Sequence, residues 1–276
     1  MRYADLDTQE HFRRVVELER LVWEYADGED VVPLPLLVIA AKRGGILIGA
    51  FDDRDRMVGF VYALPGVKHG RRTQWSHMLG VLAEYRNTGV GRQLKLAQRR
   101  KAIELGVDLV EWTFDPLQAM NAHLNFTKLG VIVQEYEEHI YGESSSPLHA
   151  ATPTDRFVAE WWVDAPQVVA RLDGTLVEAT RTTDLSRTNR TRLGDRWLLC
   201  ESIDLERSES DLAVEIPIGF GEMQLADAPL ARAWRQATRE LFVAYLTRGY
   251  RVEDFVLDRS GGRGVYVLRA GRGPMA

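Results

Sequence analysis

The chain has 276 residues, of which 45% are hydrophobic and 27% are charged, and this composition is typical of a folded globular protein. Its formal net charge of −5 argues against nucleic-acid binding, which favours a strongly basic face. The length exceeds that of a usual single domain, so we expect two domains.

The sequence agrees with a location in the reducing cytoplasm. Cys200 is the single cysteine and has no partner for an intramolecular disulfide. Residues 1–10 lack the apolar core of a signal peptide. The longest apolar run, residues 31–41, is too short to span a bilayer, and we expect a loop followed by a buried strand there. We therefore predict a cytoplasmic protein with no membrane contact.

The first elements are predicted from apolar spacing. Residues 9–26 carry apolar side chains three and four positions apart, which indicates an amphipathic helix. Residues 45–51 and 57–64 carry two short strand signals joined by a short charged turn, which predicts a hairpin. A third strand at 73–82 runs into a stretch with two glycines, and a helix follows it.

The middle of the chain continues with a strand at 107–114 and a helix from Pro116 to Leu129, which Gly130 ends. Strand signals follow at 131–141 and 157–163. Between them, residues 142–147 have the composition of a surface loop.

We place a domain boundary near residue 165, so residues 1–165 form the first domain and 166–276 a smaller α/β extension. Residues 180–192 are polar and are expected to be loop-like. The remaining predictions are strands at 197–203, 212–216, 250–257 and 264–268 and a helix at 227–248.

The stretch Arg86-Asn87-Thr88-Gly89-Val90-Gly91 connects the third strand to a helix. A strand that enters such a loop before a helix offers a row of backbone N–H groups and the positive end of a helix dipole, which together bind a pyrophosphate. Glycines let the backbone approach the phosphate oxygens. A turn without a ligand also uses glycine, so the pattern alone leaves both interpretations open.

The surrounding residues resemble the coenzyme A loop of the GNAT (GCN5-related N-acetyltransferase) superfamily. In that family a strand ending L-x-V precedes (R/Q)-x-x-G-x-(G/A), and Leu79, Val81, Arg86, Gly89 and Gly91 match these positions. A dinucleotide-binding interpretation fits less well, because G-x-G-x-x-G is absent. The resemblance implies an α/β fold with a mixed, mainly antiparallel sheet and helices on both faces. The C-terminal extension ends in a similar helix and strand pattern and is interpreted as a degenerate half-copy or an unrelated appendage.

The resemblance also implies which residues bind acetyl-CoA. The main chain of Leu79, Gly80 and Val81 would bind the pantetheine arm, with Arg86 at the start of the loop. The N–H groups that would hold the pyrophosphate are those of Asn87, Thr88, Gly89, Val90, Gly91 and Arg92. Asn121 and Asn125 face the coenzyme in this hypothesis, although solvent exposure is an equal alternative.

Acyl transfer to an amine needs a group that removes the proton of the ammonium. The strand 76–81 resembles that of arylalkylamine N-acetyltransferases, in which histidines act through water, and His77 matches one of their two histidines. With an unperturbed pKa of about 6.5, a histidine can serve as a base at neutral pH. A structural histidine is the alternative.

The usual general acid of the family is a tyrosine, and Phe126 occupies its position. Tyr136 and Tyr141 are possible substitutes, and the alternatives are unassisted departure of the thiolate or a domain without catalysis. Glu24, Trp112 and Asp115 are candidates for acceptor binding. Asp115 has a competing role as the cap of the helix that opens at Pro116.

The sequence thus predicts an acetyl-CoA dependent N-acetyltransferase for an unidentified small-molecule or peptide amine. The alternative is a catalytically silent acyl-CoA sensor or interaction module, and an unusual acceptor such as a hydroxyl is a third. No metal is expected, because the histidines lack ligand spacing on one element. The predicted partners are acyl-CoA and the acceptor, without nucleic acid or membrane, in a monomer or homodimer.

Overall fold

The computed structural model describes residues 1–24, 31–142, 153–175 and 181–271. They form two compact units. The first contains residues 1–24, 31–112 and 162–165, and the second contains 113–142, 153–161, 166–175 and 181–271. The second unit includes the described part of the predicted extension and also residues 113–142 and 153–161. The domain boundary expected near residue 165 stays a prediction.

The first unit is built on a mixed sheet. Strands β1 (Arg2–Asp5), β2 (Ile46–Phe51), β3 (Met57–Lys68) and β4 (Arg71–Val81) pair antiparallel in that order. Strand β5 (Leu109–Phe114) joins β4 in parallel. The turn between β3 and β4 has positive φ at both His69 and Gly70, as a two-residue hairpin turn requires. This sheet confirms the predicted mixed fold class.

Helices cover both faces of this sheet. They are α1 (Gln9–Trp23), α2 (Leu34–Lys42) and α3 (Val90–Glu104). Thr8 caps α1 by accepting the N–H of His11 at 3.1 Å. On β4, Gly80 faces Trp23 of α1, whereas the adjacent Leu79 faces α3. Since successive strand residues point to opposite faces, α1 and α3 lie on opposite sides of β4.

Two sequence predictions for this unit were incomplete or wrong. Residues 31–41 were expected to form a loop and a buried strand, but residues 34–42 form α2. A short apolar run does not distinguish a strand from a helix, and Pro35 is tolerated in the first helical turn. The edge strand β1 was not predicted. The predicted loop at 142–147 lies outside the described residues, apart from Gly142.

The second unit contains a second set of strands. Strand β6 (Ile132–Glu137) pairs antiparallel with β7 (Arg156–Trp162) and with β12 (Tyr250–Asp258). Strand β12 pairs with β13 (Arg263–Ala270), which pairs with β11 (Asp211–Pro217). The short β8 (Ser186–Arg187) runs parallel to β11, and β9 (Asn189–Leu193) forms a hairpin with β10 (Leu198–Ile203).

The helices of this unit begin with α4 (Ala119–Ala122), which continues as a π-helix over His123–Leu129. The others are α5 (Pro166–Leu172), α6 (Phe220–Ala226) and α7 (Ala228–Thr247). Asp227 caps α7 by accepting the N–H of Leu230. The helix predicted at 227–248 is thereby confirmed within a residue at each end. Helix α6 was not predicted.

The loop expected at 180–192 was wrong in part, because β8 and most of β9 lie there. Strand β9 is polar, and the side chain of its first residue, Asn189, bonds to the main chain of β11. The Asn189 amide donates to the Glu215 carbonyl at 2.8 Å and accepts the Glu215 N–H at 2.9 Å. These bonds satisfy buried main-chain groups of β11, so a polar residue favours a strand here.

A strand followed by helical structure and then two strands occurs twice, at residues 109–162 and, with two helices in succession, at 211–270. Strands β6 and β12, which occupy equivalent places in the two series, meet antiparallel at Val133 and Val252. This order agrees with the half-copy interpretation of the extension, which stays a prediction.

Candidate functional site

The loop between β4 and α3 has the geometry of an anion-binding turn. Asn87 and Gly89 have φ values of 62° and 92°, and Gly89 directly precedes the first residue of α3. In the described structure, the N–H groups of residues 87–92 meet no backbone carbonyl at hydrogen-bonding distance. The space where a Cβ of Gly89 would lie is open. A run of free N–H groups at a helix N-terminus is suited to phosphate oxygens.

Arg86 fixes the start of this loop. Its Nε donates to the Val81 carbonyl at 3.3 Å, and its Nη2 donates to the Val22 carbonyl at 3.4 Å. The guanidinium therefore ties the loop to the ends of β4 and α1. In this structure Arg86 holds the shape of the loop. Its direct contact with the coenzyme stays a prediction.

Strand β4 separates from β5 before it reaches the loop. The ladder between them comprises three pairs and ends where Trp75 faces Glu111. Apart from His77, residues 76–81 continue to pair with β3, and they have no partner in β5. Leu79, Gly80 and Val81 lie on this open edge, next to the free N–H groups of the loop. The arrangement suits an extended chain that hydrogen-bonds to a strand edge and ends in a pyrophosphate.

His77 lies at an irregularity of β4. Ser76 pairs with Ala63 and Met78 pairs with Tyr62, so His77 is the extra residue of a β-bulge. Its imidazole is exposed, and its ring contacts Tyr62 edge-on with centroids 5.8 Å apart. Neighbouring protein atoms partly desolvate it, and this lowers the pKa of His77 below its ordinary value of 6.5. His77 is thus largely neutral at physiological pH.

The helix α1 contributes a carboxyl group that sequence reasoning missed. Glu19 is 0% exposed, and one of its oxygens accepts the Val32 N–H at 2.8 Å. Burial raises the pKa of Glu19 to about 7. A signal for it existed, because Glu19 lies four residues after Val15 and three before Val22, on the apolar stripe of the helix.

Glu24, which was predicted to bind the acceptor, ends α1 in the left-handed conformation with φ of 53°. It is exposed, and its N–H donates to the Arg20 carbonyl at 3.0 Å. Trp23 packs edge-on against Phe60 beside Gly80. A Cβ on Gly80 would lie 3.1 Å from the Trp23 ring, so glycine allows this close approach. The role of Glu24 in acceptor binding stays a prediction.

Trp112 is buried, and its ring lies under the amine of Lys95 from α3. The Lys95 Nζ also donates to the Ser76 hydroxyl at 2.9 Å and to the Gln98 side-chain oxygen at 3.1 Å. The indole therefore serves packing and a cation–π contact in this structure. Its predicted role in acceptor binding stays a prediction.

Asp115 binds an arginine of the same unit. Its two oxygens accept two N–H groups of Arg235 at 2.8 and 2.7 Å, and Oδ1 also accepts the Leu117 N–H at 2.9 Å. These bonds combine a turn-capping role with a buried ion pair. Acceptor binding by Asp115, which would compete with Arg235, stays a prediction.

The two tyrosines considered as general acids have different environments. The Tyr136 hydroxyl donates to Asp155 at 2.7 Å, and burial together with this carboxylate raises the pKa of Tyr136 far above its ordinary value. The Tyr141 hydroxyl is bonded to the Thr113 hydroxyl at 2.7 Å, and its side chain is partly exposed. A strongly raised pKa disfavours ionisation of Tyr136 during turnover. Both roles stay predictions.

The π-helix changes the positions expected for the remaining residues. Asn121 on α4 is exposed, whereas Asn125 is buried in the π-helical segment. The predicted spacing assumed a regular α-helix, which a π-helical turn does not maintain. Phe126 is buried and packs edge-on against Phe114 and Tyr266. Phe126 therefore packs among aromatic side chains of the core.

We also searched the described ranges for a metal site and for a membrane-spanning helix. No cluster of three or more histidine, cysteine, aspartate or glutamate residues lies close enough to hold a metal ion in those ranges. No helix among them is long and apolar enough to cross a bilayer.

Comparison with known proteins agrees with the loop geometry. Residues 12–130 match the sequence model described as the acetyltransferase (GNAT) family. No curated protein matches the sequence. Among solved structures, aminoglycoside 6′-acetyltransferase type Ii is 18% identical, with 60% of this chain and 99% of that chain covered and a TM-score of 0.46. The ribosomal-protein-S18-alanine N-acetyltransferase from Escherichia coli is 13% identical, with coverages of 59% and 94% and a TM-score of 0.45.

Identities and TM-scores this low support no argument about substrate. The family match stands without them, and it covers β4, the loop and α3, where the free N–H groups lie. The chain therefore contains an acetyltransferase (GNAT) family domain at residues 12–130.

Proposed function

We propose that this protein is an acetyl-CoA dependent N-acetyltransferase that acts on a small-molecule or peptide amine. The observation that carries the proposal is the run of six N–H groups at residues 87–92, which residues 82–86 connect to the open edge of β4. In this proposal the loop binds the pyrophosphate and the main chain of residues 79–81 binds the pantetheine arm. Bound acetyl-CoA supplies an activated thioester.

The residues suit this ligand in shape as well as in charge. The loop presents main-chain donors without a side chain at Gly89, and the dipole of the 15-residue α3 adds positive potential at its N-terminus. Gly91 faces Leu79 and Val81, which brings the start of the helix close to the strand edge. A phosphate at the loop and an extended arm along β4 therefore occupy adjacent positions.

His77 is the proposed group that first meets the acceptor. Its exposed imidazole lies two residues before Leu79 on the edge where the thioester is expected. The lowered pKa keeps it neutral, so it accepts a hydrogen bond from an ammonium or from a water that carries the proton away. A base placed there raises the nucleophilicity of the amine.

The absence of a hydroxyl at Phe126 favours a second candidate, an acyl-CoA binding module without turnover. Against it, a thiol with an ordinary pKa of about 8.5 is a good leaving group, and departure without a general acid is chemically reasonable. The two candidates differ in whether acyl transfer occurs.

The experiment is a turnover assay with acetyl-CoA against a panel of amines comprising an arylalkylamine, an aminoglycoside, a polyamine and a peptide with a free N-terminus. Release of free coenzyme A together with the acetylated amine would support the proposal. Tight coenzyme binding with no product from any amine would support the silent module instead.

A further inference from the structure

Among the buried polar atoms of the first unit that have no hydrogen-bond partner, two belong to acidic side chains that lie beneath α1. Glu19 is 0% exposed, and its Oε1 is unpaired although Oε2 accepts the Val32 N–H. Tyr62 of β3 is 1% exposed, and its hydroxyl is also unpaired. Buried polar groups are almost always satisfied, so two such atoms in one region require an explanation.

The two residues belong to one cluster that leads to the open edge of β4. The charge on Glu19 contributes to raising the pKa of Tyr62 to about 12, so the carboxyl group lies near the phenol. The Tyr62 ring in turn contacts His77 edge-on. The series Glu19, Tyr62 and His77 therefore connects the interior beneath α1 with the bulge where we expect the acceptor.

Glu19 has no positive partner within the described residues. Among the described residues just before α2, 31–33, only the Val32 N–H bonds to it. The titratable groups that face it from the sheet are Tyr62 and, beyond it, His77. A carboxylate oxygen accepts protons, and a phenol both donates and accepts. A protonated amine, or a water between the two groups, would satisfy both unpaired atoms.

We propose that Glu19, acting through the Tyr62 hydroxyl, takes up the proton that the acceptor amine must lose, and that the acceptor arrives as an ammonium ion. This inference rests on the proposed function. One N–H bond of the ammonium breaks, and its proton passes to the phenol oxygen while the phenol proton passes to Glu19. The nitrogen lone pair then attacks the thioester carbonyl carbon, and the C–S bond breaks. The second proton lost by the nitrogen goes to the thiolate, so the products are an amide, a thiol and a protonated Glu19.

The relative basicity of the groups supports this route. Burial raises the pKa of Glu19 to about 7 and lowers that of His77 below 6.5, so near neutral pH the carboxylate is the stronger base. The phenol keeps its own proton at that pH and can accept one as it gives one up. His77 remains the first group to accept a hydrogen bond from the amine, and Glu19 is the final acceptor of its proton.

The first test follows Glu19 without requiring turnover. Protein labelled with 13C at the glutamate side-chain carboxyl carbons is titrated by NMR as wild type, as Glu19→Gln and as Glu17→Gln. Glu17 is an exposed glutamate on the same helix, so it is the matched control. We expect one resonance with a midpoint near pH 7 that is lost only in Glu19→Gln.

Phenethylammonium chloride is then added to coenzyme-bound protein, with sodium chloride as the control. A cation bound beside Glu19 should lower that midpoint by about one unit or more. A midpoint near pH 4.5 in wild type would overturn the proposal. A midpoint near pH 7 that no ammonium shifts would also overturn it, because a buried water alone would then satisfy the pair.

The second test uses the best acceptor of the amine panel. Glu19→Gln should lower kcat by about 10²-fold and remove the inflection near pH 7, with the KM for acetyl-CoA unchanged. Glutamine retains the oxygen that accepts the Val32 N–H, and Tyr62→Phe, which removes only the hydroxyl, should have a similar effect. An unchanged pH profile in both variants would show a structural role only. Absence of transfer by wild type would contradict the proposed function, whereas the NMR titration would still decide the role of Glu19.

Discussion

The Lys95 amine lies 3.5 Å from the centroid of the Trp112 ring, inside the first unit. Lys95 is 4% exposed, and its other partners are the neutral side chains of Ser76 and Gln98. Burial lowers the pKa of Lys95 well below its ordinary value of 10.5. The cation–π contact opposes this effect, but the loss of hydration of a fully buried ammonium is the larger contribution.

Replacement of this amine should therefore stabilise the protein. The unfolded chain binds the lysine proton at any pH below 10.5, whereas the folded chain resists it, so stability rises with pH up to that value. Lys95→Met should raise the free energy of unfolding at pH 7 by about 1 kcal/mol and flatten its rise towards pH 10. Urea unfolding at several pH values measures both.

Lys101→Met is the control, because Lys101 lies on the same helix and its ion pair with Asp5 is partly exposed. It should change the free energy of unfolding by less than about 1 kcal/mol. A Lys95→Met protein that is less stable at pH 7 and keeps the wild-type pH slope would contradict this account.

Glu19 should make stability depend on pH in the opposite sense. Its pKa rises from 4.5 in the unfolded chain to about 7 in the fold, so the folded chain binds the extra proton between these values. Stability is then lost as the pH rises from 4.5 to about 7. At about 1.4 kcal/mol per pKa unit, Glu19→Gln should gain up to about 3 kcal/mol over wild type at pH 8 and little at pH 4.5. If the free energy of unfolding changed with pH in the same way in both proteins, the pKa of Glu19 would not be raised in the folded chain.

In the second unit, Arg235 and Asp115 form a buried ion pair. Replacement of one partner alone should lower the free energy of unfolding. Arg235→Met leaves the Asp115 charge without its partner and should cost about 3–5 kcal/mol of unfolding free energy. The double variant with Asp115→Asn keeps an oxygen for the Leu117 N–H and removes the charge, so it should recover about half of that loss.

Urea unfolding of the two variants measures this coupling. The exposed pair of Arg192 and Glu201 supplies the control, since Arg192→Met should cost less than about 1 kcal/mol. Equal costs for Arg235→Met and the double variant would mean that the charge of Asp115 is not the cause.

His77→Ala should affect turnover more than binding. Removal of a positioned imidazole should lower kcat by about 10²-fold, while the Kd for coenzyme A changes by less than about twofold. In wild type, the lowered pKa of His77 places the acidic limb of its contribution below pH 6.5. Unchanged turnover in His77→Ala would remove it from the mechanism.

Local signals were enough to predict much of the site. The strand, the glycine loop and the helix at 73–104 form one continuous segment, so their order indicated a row of main-chain N–H groups, and the family resemblance assigned it to residues 87–92. The prediction for residues 31–41 was wrong because an apolar run has no periodicity that separates a buried strand from a helix. Helix α2 instead buries Leu37 and Ala40, three residues apart.

Other features depend on partners far along the chain and had no local signal. Asp115 was predicted to cap a helix or bind an acceptor, and it lies 120 residues before the arginine that binds it. Asn189 makes its strand favourable through Glu215, which follows 26 residues later. Glu19 was not predicted, because Glu24 was the acidic residue of the first helix that was assigned to the acceptor cleft.

The most direct test of the central claim is calorimetric titration of the protein with acetyl-CoA and its desulfo analogue, using wild type, Gly89→Glu and Gly70→Glu. Both glycines have positive φ and open space around a Cβ, but Gly70 lies in the turn at the opposite end of β4. We predict binding by wild type and by Gly70→Glu and none by Gly89→Glu, whose carboxylate would occupy the phosphate site. Absence of binding by wild type, or equal binding by Gly89→Glu, would contradict the assignment of this loop as the coenzyme site.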